Sequence, residues 1–118
     1  MSTYLCQAKD VVERGNGFAF RVYGVGRIWP AFLIRFGGEV RAYLNVCAHV
    51  GLRLEAGTGN YFCRDGERLV CKSHGATYAP DTGLCTDGPC KGLSLIALNV
   101  EERDGLILYE DKDYEYYE

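Results

Sequence analysis

The chain's only two histidines each follow a cysteine closely, in Cys47-Ala-His49 and in Cys71-Lys-Ser-His74. Both pairs open turns that carry glycine, His49-Val-Gly51 and His74-Gly75. A histidine met singly is more often a surface residue or a hydrogen-bonded core residue than a metal ligand. Two of them, both within three residues of a cysteine, carry more weight together than apart. Glycine-bearing turns let neighbouring side chains converge on one centre. They also point backbone N–H groups inward, where sulfur can accept them. Cys47, His49, Cys71 and His74 are therefore the candidate metal ligands, and the fold must bring their two segments together.

The rest of the chain reads as β-structure broken by turns. Its 118 residues suit one domain, 1–118, with a modest core. Fifteen glycines and nine tyrosines favour a turn-rich β protein over a helical one. Residues 4–8 read as a first strand, Glu13 to Gly17 as a turn, and Phe18 to Tyr23 as a second strand. Gly24 to Pro30 reads as a looser connection. Ala31 to Phe36, then Gly37-Gly38, then Glu39 to Leu44 reads as a β-hairpin, because the glycine pair supplies the positive φ that such a turn needs. Residues 45–60 read mainly as loop. Tyr61-Phe-Cys63 and Arg68 to Cys71 flank Asp65-Gly66, a second hairpin signature. Leu93 to Val100 alternates imperfectly as one strand, and Asp104-Gly105 turns into Leu106 to Tyr109. No segment shows three turns of helical periodicity. The expectation is one all-β domain, mostly antiparallel, with residues 45–90 around the candidate ligands.

Charge narrows the function classes. The net charge is −3, and no Lys/Arg stripe offers a nucleic-acid backbone a footprint. Glu101 to Glu118 holds eight acids against two bases. The chain's start has no basic segment leading into an apolar run, and no stretch of about 18 apolar residues occurs. A reducing cytoplasm is the expected setting, and there six cysteines favour metal binding or thiols over a disulfide scaffold.

Two metal centres use two cysteines and two histidines. Tetrahedral zinc is one. Zinc fingers, however, usually pair Cys with Cys at one end and His with His at the other. Here each short arm offers one of each, which suits a [2Fe–2S] centre with two Cys on one iron and two His on the other. Each arm would then give one ligand to each iron.

On these residues the chain resembles a Rieske iron–sulfur domain, and most of all the small soluble Rieske-type ferredoxins. The likeness runs from about Ala31 to Tyr109. It takes in both arms, Tyr78, Asp81-Thr-Gly83 and Gly88-Pro89. It implies three stacked antiparallel sheets, with one [2Fe–2S] cluster at the tip of a small subdomain. His49 and His74 would hold the outer iron, and Cys47 and Cys71 the inner one. Two features depart from the family. The interval from His49 to Cys71 holds 21 residues, longer than usual, which makes Tyr61 to Val70 an elongated hairpin between the arms. Leu52 and Ser73 stand where the respiratory and photosynthetic relatives have a disulfide, as in the soluble branch.

The resemblance implies a one-electron carrier, not an enzyme, serving a reductase and a terminal oxygenase or a similar redox pair. With two thiolates the oxidised site is neutral, so it accepts an electron more readily than an all-Cys site at −2. High-potential relatives have a Ser and a Tyr that donate to sulfur. Here Ala76 replaces the Ser and Tyr78 is retained, which implies a potential in the lower part of the Rieske range. Val50, Leu52 and Pro89 would rim an exposed His49/His74 edge. The expected carrier is a monomer without nucleic-acid or membrane partners. The alternatives are a small Rieske-like subunit of a larger reductase, such as an assimilatory nitrite reductase, and a structural zinc module. Cys63, Cys85 and Cys90 read as thiols rather than ligands, Cys6 as strand filler, and Trp29 as packing around the first hairpin. The tail Tyr114 to Glu118 reads as a frayed or edge-docked terminus.

Overall fold

The computed structural model describes residues 3–46, 60–63, 66–71, 75–88 and 92–117. Among them lie eleven strands in three antiparallel sheets. The outer base sheet joins β1 (Thr3–Gln7), β10 (Leu106–Tyr109) and β9 (Val100–Arg103), in that order. The middle sheet has the order β11 (Glu115–Tyr117), β2 (Phe18–Gly24), β3 (Arg27–Phe36), β4 (Glu39–Leu44), β8 (Ala97–Leu98). The third sheet is small: β5 (Leu69–Val70), β6 (Thr77–Tyr78) and β7 (Cys85–Asp87). A single 3₁₀ turn at Ala8–Asp10 is the only helical element among the described residues.

The middle sheet is covered on both faces, which explains its sequence. Ala31, Phe32, Leu33 and Ile34 are all buried although strand neighbours point to opposite sides. Ala31 and Leu33 join Phe20, Val22, Ala42 and Leu44 in a cluster with Leu5, Ile107 and Tyr109 of the base sheet. Phe32, Ile34 and Tyr43 join Tyr61, Leu69, Tyr78 and Cys85 on the other side. A strand buried on both faces reads as a continuous apolar run, as Ala31 to Ile34 does.

The expected hairpins are present. Gly37 and Gly38 lie at φ 65° and 82°, and Phe36 pairs with Glu39 across them. The Glu13 carboxylate accepts from the N–H groups of both glycines, at 2.7 and 2.8 Å. Asp104 and Gly105 make the β9–β10 turn, also at positive φ.

Two expectations are corrected. Gly24 to Pro30 is no loose connection. Val25 and Gly26, at φ 49° and 76°, close a tight hairpin, and Gly24 pairs with Arg27. A β-branched residue is rare at positive φ, so the signal was hidden. Pro30 then lies inside β3 opposite Arg21. Its carbonyl accepts from Asn45, so its nitrogen also faces that side, just past Ala31–Leu44, where the β4 ladder ends. Likewise, Leu93 to Val100 is not one strand. Ser94 bridges Leu84, while Ala97–Leu98 pairs with β4 and Val100 begins β9. Leu95 joins the cluster under the third sheet, with Phe32 and Tyr78, and Leu98 the cluster against the base sheet, with Leu5 and Ile107, so the segment changes layer midway.

The C-terminal tail is edge-docked. Tyr116 pairs with Val22, and the Tyr114 ring meets Trp29 edge-on at 6.3 Å. The Asp111 carboxylate accepts from the N–H groups of Asn99, Asp113 and Tyr114, which fixes the bend before β11. Trp29 is a packing residue, as expected, and its indole N–H donates to the Gly24 carbonyl. Among the described residues, no helix is long and apolar enough to cross a membrane.

Candidate metal centre

The second arm begins where β5 ends. Cys71 is fully buried, in the cluster that includes Ala76, Tyr78 and Cys85. Its N–H donates to the Ala76 carbonyl at 2.8 Å, and its own carbonyl accepts from Gly75 N–H at 2.8 Å. These two bonds close the loop that spans Cys71 to Ala76. Closure requires a left-handed residue, and Gly75 supplies it at φ 74°.

Gly88 packs onto the foot of this loop. A Cβ at Gly88 would sit 2.8 Å from Ala76 Cα, so only glycine allows the approach. Behind the loop, Tyr78 is paired on both sides, with Leu69 and with Cys85. All three side chains are buried toward the middle sheet. The Cys85 thiol donates to the Asp87 carbonyl at 3.3 Å, consistent with a plain thiol.

Of the four candidate ligands, Cys71 is among the described residues. Cys47, His49 and His74 lie outside them, as do Val50, Leu52, Ser73, Pro89 and Cys90. No group of three or more His, Cys, Asp or Glu able to hold a metal occurs among the described residues, since three of the four candidates lie beyond them. The first arm follows directly on β4. Leu44 closes that strand, and the buried Asn45 donates its N–H to Pro30 before the chain runs on to Cys47. What is described fits an iron–sulfur group. A buried cysteine sits at a strand end, in a loop closed by backbone bonds, under a glycine approach that admits no side chain.

The hairpin between the arms is present in its described parts. Phe62 bridges Leu69, Cys63 N–H donates to Arg68, and Gly66 has φ 73°. Tyr61 roots it, stacked on Phe32 with centroids 4.0 Å apart and planes 9° apart. Arg14 pins it from the side. Its guanidinium meets Glu67 at 2.6 Å and lies 5.0 Å from the Phe36 ring centre, and Phe36 in turn stacks on Phe62.

Comparison with family models matches residues 2–100 to the Rieske [2Fe-2S] domain. The chain belongs to the Rieske [2Fe-2S] domain family. Membership implies binding of a [2Fe–2S] cluster. Among curated proteins, the oxidoreductase NdmD of Pseudomonas putida is 44% identical over 52 residues, which are 44% of this chain and 8% of that protein. Among solved structures, the terminal oxygenase of carbazole 1,9a-dioxygenase from Nocardioides aromaticivorans IC177 superposes with TM-score 0.74 at 23% identity. That match covers 99% of this chain and 32% of the oxygenase chain. The ferredoxin of the same dioxygenase superposes with TM-score 0.71 at 23% identity, covering 95% of this chain and 99% of the ferredoxin. At these identities the superpositions show the fold. This Rieske chain thus spans a small part of the first two proteins and nearly all of the third.

Two features of the site were not read from the sequence. One is the Gly88–Ala76 approach, although the Gly88-Pro89 pair had marked a loop there. The other is Tyr43, which occupies an inward strand position. Its O–H donates to the Pro80 carbonyl at 2.7 Å, and burial pushes the hydroxyl's pKa up to about 12. A buried hydroxyl needs a partner, and that requirement was the available signal.

Proposed function

We propose that this Rieske protein is a one-electron carrier that accepts electrons from a reductase and passes them to a terminal oxygenase or a similar redox enzyme. In this reading Cys47 and Cys71 hold the inner iron, and His49 and His74 the outer one. The bound cluster supplies a single reversible electron step. The chain's own residues position and shield it. Cys71 lies buried at the foot of its loop, Gly75 and the two backbone bonds shape that loop, and Gly88 keeps its foot tightly covered. Tyr78 would donate a hydrogen bond to a cluster sulfur, which would favour the more negative reduced state. We read residues 1–118 as one domain, with the cluster-binding part at about 45–90. The free, buried thiol of Cys6 supports a reducing, cytoplasmic setting.

The observation that carries the proposal is a family match over residues 2–100, a span that contains both Cys/His arms. Both histidines are taken by the cluster, so this chain has none left for the His/carboxylate iron that oxygen chemistry requires. Electron paramagnetic resonance of the dithionite-reduced protein is the test. Mixed His/Cys ligation gives an average g below that of all-Cys clusters. A colourless protein with stoichiometric zinc would end the reading.

The likeness to an oxidoreductase favours a second reading, a Rieske-like component of a larger reductase. Stable co-purification with a large subunit would select it over the free carrier.

A further inference from the structure

Tyr43 ties the end of β4 to the turn that follows Tyr78. It lies on β4, whose end leads through Asn45 and Val46 to Cys47. Its side chain points into the core under the third sheet and is 2% exposed. There its O–H reaches the Pro80 carbonyl, 37 residues away in sequence. Pro80 lies in the turn that follows Tyr78. Gly83 N–H donates to Ala79, and Ala79 N–H to Leu84, so this turn is itself closed. The Tyr43 ring grips the same turn again. Gly83 has φ 78°, and a Cβ there would come within 2.8 Å of Tyr43 Cε1.

One side chain therefore holds the turn at two points, by a directed hydrogen bond and by ring contact. A leucine or phenylalanine would fill most of the same core. Only the hydroxyl adds a fixed direction. We propose that Tyr43 is a positioning residue that locks the strand bearing Tyr78 and the second arm to the strand leading into the first, and so tunes the bound cluster. The proposal rests on the carrier reading above. Without this brace, β6 is a two-residue strand held by its neighbours alone, and the sulfur bond proposed above for Tyr78 would be held less firmly.

Redox titrations of wild type, Tyr43→Phe, Tyr78→Phe and the double variant test this, together with the rate of iron loss to a ferrous chelator. Tyr43→Phe is expected to keep the mixed-ligand spectrum, to move the midpoint negative by less than Tyr78→Phe, and to release iron several-fold faster. In the Tyr78→Phe background, its effect on the midpoint should largely vanish. A lowered melting temperature with an unchanged midpoint would overturn the proposal, because the role would then be packing alone. Equal midpoint shifts in both backgrounds, or no shift from Tyr78→Phe, would overturn it as well. If Tyr43→Phe fails to load, Tyr43→Leu removes the same hydroxyl and faces the same comparison. A wild-type protein without the mixed-ligand signal is a separate outcome, the failure of the carrier reading itself.

Discussion

Two interfaces flank the middle sheet, and they are made of different material. The lower one, against the base sheet, is largely aliphatic: Val22, Leu33, Leu44 and Leu98 meet Leu5 and Ile107. Regular strands supply it, by plain alternation. The upper one, under the third sheet, is aromatic and directed. Phe32 stacks on Tyr61, Tyr43 bonds to Pro80, and Gly17 and Gly83 give way to tyrosine rings. Its own strands are only two or three residues long. Non-directional burial is enough to keep two sheets together. Holding a [2Fe–2S] cluster requires fixed geometry, and stacked rings, tight glycine approaches and single hydrogen bonds supply it on this side.

The largest expected contrast comes from truncating each side. Leu33→Ala opens a cavity in the lower core, where Leu33 is 0% exposed. The cost should be about 2–5 kcal/mol, measured by denaturant unfolding. The cluster midpoint of the folded protein should stay where it is. A shifted midpoint would show that the two interfaces are not separable.

Gly88→Ala probes the upper side with a single methyl. The added carbon would lie 2.8 Å from Ala76 Cα, and the residue already sits at φ 99°. Backbone must move at the foot of the second arm. Overpacking of this kind costs about 1–3 kcal/mol. Here the global loss should be smaller than for Leu33→Ala, yet cluster occupancy and midpoint should both change. Iron content per chain and the reduced-state spectrum measure this. Wild-type loading and midpoint in the Gly88→Ala protein would remove the approach from the site.

The reach of the contact in sequence, rather than the layer, governs what was legible. The Gly37-Gly38 and Asp104-Gly105 turns and the strands beside them follow local rules and were legible. The family was legible from the two Cys/His pairs, because ligand chemistry allows few residue types at few spacings. What escaped depends on partners distant in the chain. Val25 breaks the usual turn preference. Leu95 and Leu98 serve different cores within one apolar run. The edge-docked tail was one of two readings; what settles it, the room that Gly24 leaves for the Tyr114 ring, which a Cβ there would meet at 2.5 Å, is a long-range contact. The Tyr43–Pro80 bond spans 37 residues. None of these leaves a pattern within a window of ten or so residues.

The smallest expected effect lies at the edge of the lower layer. The N–H groups of Gly38 and Gly37 hold the Glu13 carboxyl below its usual value of 4.5. A carboxyl depressed in the folded state adds stability above its unfolded pKa, and that stability is lost as pH falls through the lower, folded value. Glu13 is exposed, so water screens much of the gain. Glu13→Gln should therefore lower stability slightly at neutral pH and flatten its decline below about pH 4.5. Denaturant unfolding of both proteins at pH 7 and at pH 3.5 measures the difference, which should be larger at pH 7. Because Glu13 braces the β3–β4 turn at the end away from Cys47, the cluster midpoint should not respond. A response would mean that strain at one end of this hairpin reaches the arm at the other, and the two interfaces would have to be treated as one.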